Sequence, residues 1–113
     1  MAPMPPLPPE PFRPLDHATF SADRMGKVTL FASERVLVGL NTFTPGQEHR
    51  LHAHAGMDKV YHVLSGSGRF LLEGGDRKMA AGDMLIAPAD SAHGIRNDGD
   101  ENLVVLAILA PAP

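Results

Sequence analysis

From Val36 to Phe43 the chain alternates Val36, Val38, Leu40 and Thr42 with Leu37, Gly39, Asn41 and Phe43. A period of two belongs to a strand, whose successive side chains leave opposite faces. Pro45-Gly46 ends the run as a turn. Strand-like stretches then recur: Gln47 to His54, Lys59 to Leu64, Arg69 to Glu73, Arg77 to Ala80, Met84 to Ala87, Ser91 to Arg96 and Leu103 to Leu109. Between them stand Ser65-Gly66-Ser67-Gly68, Gly74-Gly75-Asp76, Ala81-Gly82-Asp83 and Asn97-Asp98-Gly99-Asp100, all turn-forming clusters. The β-signals begin at about Thr29, and no segment between residues 27 and 110 carries a helical stripe. Short strands about every 8 to 12 residues, separated by Gly-bearing turns, predict an all-β sandwich or barrel.

The start of the chain reads differently. Met1 to Pro14 holds seven of the eleven prolines, and proline fixes φ and cannot donate to a ladder. An extended arm with polyproline character is expected there, either a loose tail or a strap on a neighbouring subunit. The division is thus a proline-rich N-terminal arm over residues 1–27 and a barrel domain over residues 28–113. At 113 residues there is room for one core.

Charge and composition narrow the functions. The formal net charge is -3 and no cluster of Lys or Arg stands out, so no nucleic-acid partner is expected. The longest apolar run, Leu103 to Ala110, is strand-length, so no membrane span is expected. The N-terminus lacks the basic start and apolar stretch of a secretory signal, which makes cytoplasmic residence the default. There is no cysteine, so any metal must be held by nitrogen and oxygen. That directs attention to the six histidines.

His52 and His54 are two apart in a strand-like stretch and leave the same face. His93 sits in another strand-like stretch, and a closed barrel brings it to the same interior point. Three imidazoles suit Zn, Fe, Mn, Ni or Cu. An HxH pair alone is weak evidence, but its surroundings are more specific. Gly46 is followed by five residues, His52, one, His54, four, Lys59, six, and Gly66. Gly82 is followed by five residues, Pro88, one, Asp90, two, His93, three, and Asn97.

These stretches resemble the two signature motifs of the cupin family, and the resemblance spans roughly Val36 to Leu109. It is that of a small single-domain cupin. The resemblance implies a double-stranded β-helix, or jelly-roll barrel, with one divalent transition metal ion inside on His52, His54 and His93. It also implies that Asn97 helps form the turn into the final strands. Two positions depart from the pattern. Asp90 stands where the family has glycine, a tolerable exchange because Asp accepts turn and left-handed conformations. Lys59 stands where most metal-binding cupins have a ligating glutamate, and an ammonium near a cation repels it. Asp58 beside it matches the shorter family spacing, and a one-residue bulge would bring it inward as a fourth ligand.

The remaining residues carry weaker expectations. Glu48 and His49 are placed to line the mouth of the site, and His62 faces away from Lys59 and Tyr61. Tyr61, the single tyrosine, either packs in the core or bonds a bound molecule. His17 is expected at the surface. Met57, Met79 and Met84 are expected to line the barrel. Asp90, Ser91 and His93 are too close in sequence to converge as a catalytic triad.

Two functions remain open. One is a metal-dependent enzyme, of dioxygenase or isomerase type, acting on a small organic molecule. The other is a non-catalytic module that binds or senses a small carboxylate or sugar. A short barrel with an apolar outer sheet and a proline-rich arm is expected to form a homodimer.

Overall fold

Nine strands follow one another in the computed structural model: β1 (Gly26–Ala32), β2 (Leu37–Phe43), β3 (Glu48–His52), β4 (Asp58–Ser65), β5 (Ser67–Leu72), β6 (Arg77–Ala80), β7 (Met84–Ala87), β8 (His93–Arg96) and β9 (Leu103–Ala110). The structure describes residues 10–53 and 55–113. The first nine residues of the expected arm, and the predicted ligand His54, lie outside the described residues. Among the described residues the helical content is one 3-10 turn, Pro14–His17, and no helix is long and apolar enough to cross a membrane.

The strands form a five-stranded sheet in the order β1-β2-β9-β4-β7 and a four-stranded sheet in the order β3-β8-β5-β6. Pairing is antiparallel throughout. This is the all-β jelly-roll barrel the turn spacing and the cupin resemblance imply. The alternation explains which side chains go inside. In β9, Leu103, Val105 and Ala107 join Phe43, Tyr61, Val63, Phe70, Met79 and Ile95 in the core between the sheets. Val104 and Leu106 face the other way and pack with Leu30, Leu40 and Ala18 in a second cluster. An apolar layer on both faces is why Leu103 to Ala110 reads as an unbroken hydrophobic run.

Ala18 belongs to the segment before β1, which lies against its own barrel. Thr42 Oγ1 donates to the Thr19 carbonyl at 2.6 Å, and Gln47 Nε2 donates to the Ser21 carbonyl at 2.7 Å. Farther back, His17 is exposed, as expected, with its ring edge-on to Phe12 at 5.7 Å.

One lining expectation fails. Met79 is in the core, but Met84 is 61% exposed and Ile86 is 63% exposed on the outside of β7. The register explains it. Leu85 pairs with Tyr61 and Ala87 with Lys59, so these two take the inward positions and Met84 and Ile86 point out.

Asn97 ties the two motif segments together. It is fully buried, its Nδ2 donates to the carbonyls of Phe43 (3.0 Å) and Glu101 (2.8 Å), and its Oδ1 accepts from Gly99 N–H (3.0 Å). Its backbone accepts from Gly46 N–H and donates to the Gln47 carbonyl, both at 2.9 Å. Asp90, in place of the family glycine, has φ 68°, the left-handed conformation that Asp tolerates.

Candidate metal and ligand site in the barrel

β3 and β8 are neighbours, and His52 stands directly opposite His93. Their ring centroids are 4.6 Å apart. The β3 register shifts between His49 and His52, so His49, three residues earlier, also comes to this side. Its ring lies 4.3 Å from that of His52, and Tyr61 closes the other side with its ring 5.7 Å from His93. The two strands come this close because residue 94 is glycine. A Cβ there would lie 2.5 Å from the His49 carbonyl oxygen and 2.8 Å from the Leu51 nitrogen.

Backbone carbonyls orient both facing imidazoles. His52 Nδ1–H donates to the Arg50 carbonyl at 2.7 Å and His93 Nδ1–H to the Ser91 carbonyl at 2.8 Å. An imidazole whose Nδ1 carries the proton presents Nε2 as an electron-pair donor. His52 Nε2 accepts from Lys59 Nζ at 3.1 Å. His93 is buried, Nε2 included.

The register of β4 decides between Lys59 and Asp58. Lys59, Tyr61 and Val63 alternate inward, and Lys59 is 5% exposed. Asp58 is exposed, and its Oδ1 accepts from Ala89 N–H at 2.8 Å. The irregularity in β4 falls between Val63 and Ser65, too late to turn Asp58 inward. The fourth-ligand expectation for Asp58 is therefore not met. His62 lies on the opposite face from Lys59, as expected. Glu48 is drawn into an ion pair with Arg96 at 2.7 Å.

Burial sets the electrostatics. The His49 imidazole is pushed down to about 4, first by desolvation and then by the nearby His52, Lys27 and Lys59. His52 is also held below its usual value by desolvation, against the opposing effect of its bond to the Arg50 carbonyl. Desolvation, then Lys27, lowers Lys59, while burial raises the Tyr61 phenol. At neutral pH the His49 and His52 imidazoles are therefore electron-pair donors.

A cavity of about 210 Å³ adjoins these residues, lined by Lys27, His49, Lys59 and Tyr61 among others. Lys27 was not singled out by sequence, because it precedes an irregular register in β1 between Thr29 and Phe31. Gly94 was missed too, although a glycine inside a strand pattern signals a close backbone approach.

Among the described residues no group of three or more His, Cys, Asp or Glu side chains is disposed to hold a metal. The structure brings together two of the three predicted ligands, His52 and His93. Their backbone-anchored Nδ1 atoms fit metal ligation, while the Lys59 ammonium and the nearby Lys27 oppose it.

The chain belongs to the cupin family, with the cupin domain matching residues 39–109. A protein from Thermus thermophilus of known crystal structure is similar, with 34% identity and a TM-score of 0.84 over 88% of this chain and 94% of that one. A double-stranded β-helix protein from Klebsiella pneumoniae gives 25% identity and a TM-score of 0.83 over 88% of each chain. An oxalate-binding protein from Thermotoga maritima is 35% identical over 65 residues, 58% of this chain and 54% of that protein. The chain therefore spans about half the length of that curated relative.

Proposed function

We propose that the barrel holds one divalent transition metal ion on His52, His54 and His93 and binds a small organic molecule beside it, as in a metal-dependent dioxygenase or isomerase. The observation that carries this reading is the His52–His93 pair, with both Nδ1 atoms held by backbone carbonyls. Cupins commonly bind a metal, and the donor set here suits Zn, Fe, Mn, Ni or Cu. A bound ion would supply Lewis-acid polarisation of an oxygen on the substrate. The protein's own contribution is orientation: Arg50 and Ser91 fix the two rings, and Tyr61 excludes water from one side. Elemental analysis after reconstitution tests it. About one metal per chain, lost in His52→Ala, supports the reading, and no metal with any of the five elements ends it.

A second reading, binding without turnover, is favoured by Lys59, whose ammonium meets the Nε2 electron pair that a metal would use. The oxalate-binding relative fits this reading. Metal uptake decides between the two. In either case we propose a homodimer formed through the outer face of the five-stranded sheet, where Met84 and Ile86 are exposed.

A further inference from the structure

The charged side chains that line the barrel cavity among the described residues are both cationic. Lys27 and Lys59 line the same cavity, and no Asp or Glu side chain lines it among the described residues. Acids on the neighbouring strands are engaged elsewhere: Glu48 with Arg96, and Asp58 with the Ala89 N–H. Lys59 is 5% exposed, and its hydrogen bond goes to a neutral imidazole nitrogen. Burying an ammonium without a counter-charge is costly, and an incoming anion offsets that cost. The ammonium carries three N–H donors, so a bond to His52 does not exhaust it.

The cavity wall also has an apolar part, with Leu37, Ala107 and Leu109, beside a polar part with Thr29 and Asn41. The apolar part gives the hydrocarbon body of a ligand a surface to lie on. At about 210 Å³ the space is below the roughly 300–1,000 Å³ of drug-sized sites, which restricts the occupant to a small molecule.

We propose that this cavity is a carboxylate site, in which Lys27 at the rim and Lys59 at the floor hold the carboxylate of a small organic acid whose apolar body lies on Leu37, Ala107 and Leu109. The inference rests on the barrel being a small-molecule site and not on its metal. The two lysines then act as specificity determinants, selecting an acid over its neutral analogue.

Benzoate and its neutral isostere benzamide are suitable probes, added to the full chain with and without prior metal stripping. Calorimetric titration of the stripped protein is expected to show benzoate binding at least about tenfold tighter than benzamide. Lys27→Met, at an exposed position, is expected to keep the fold and weaken benzoate by about fivefold. Equal binding of acid and amide, or unchanged binding in Lys27→Met, overturns the proposal. Benzoate binding that requires metal and vanishes in His52→Ala makes the acid a ligand of the ion, which overturns the lysine assignment and leaves the metal reading standing. Acid-selective binding by a protein that takes up no metal supports the carboxylate site and removes the metal reading.

Discussion

Lys59 directs its ammonium to Nε2 of His52 at 3.1 Å, the nitrogen that a metal ligand must keep for its ion. Two cations cannot share that electron pair, so metal binding has to displace the lysine. Replacing the ammonium by a carboxylate reverses the local charge and adds a donor. Lys59→Glu is expected to tighten divalent metal binding by at least about tenfold. Competition against a chelator measures it, and weaker binding in the variant would show that residue 59 does not face the ion.

Gly94 holds β3 and β8 close enough for His52 to face His93. A methyl group at this position meets backbone atoms of residues 49 to 51, which cannot rotate aside. Gly94→Ala is expected to cost about 1–3 kcal/mol in urea unfolding. Metal uptake should fall with it, because the ring-to-ring distance opens as β3 is pushed off.

Asn97 satisfies two carbonyls and one N–H from a fully buried position. Asn97→Ala leaves the Phe43 and Glu101 carbonyls without that donor and is expected to destabilise by about 2–3 kcal/mol. Asn97→Asp, nearly the same shape, should be no better, since an oxygen then faces those carbonyls. A stability near wild type for Asn97→Asp would show that shape, not donation, is what the position requires.

Ile86 stands outside β7 at the edge of the five-stranded sheet. If the proposed homodimer forms there, Ile86→Lys buries an ammonium at the interface and shifts sedimentation to the monomer, with thermal stability at low concentration unchanged. A wild-type chain that sediments as a monomer would refute the dimer.

The barrel was legible because its signals are local. Alternation in β2 and β9 and turn-forming clusters between strands need no knowledge of the third dimension. The Asn97 turn came through the resemblance, since a buried three-bond side chain leaves no pattern of its own. What stayed hidden depends on register. Glu48 and His49 are both expected at the mouth of the site, but the shift between His49 and His52 that turns His49 inward, while Glu48 pairs with Arg96, leaves no mark in the sequence. The choice between Lys59 and Asp58 was more accessible, because Tyr61 and Val63 continue the inward set that Lys59 begins. Lys27 could not be placed, since its role comes from a cavity that distant strands enclose.

β9 lies in the middle of the larger sheet, with β2 on one side and β4 on the other. During synthesis the strands on either side emerge first and lack the partner that joins them. Without β9, the β1-β2 and β4-β7 pairs are two separate pieces with bare edges. Closure of the larger sheet therefore waits for Leu103–Ala110, and until that strand docks the edges of β2 and β4 are open to pairing with other strands.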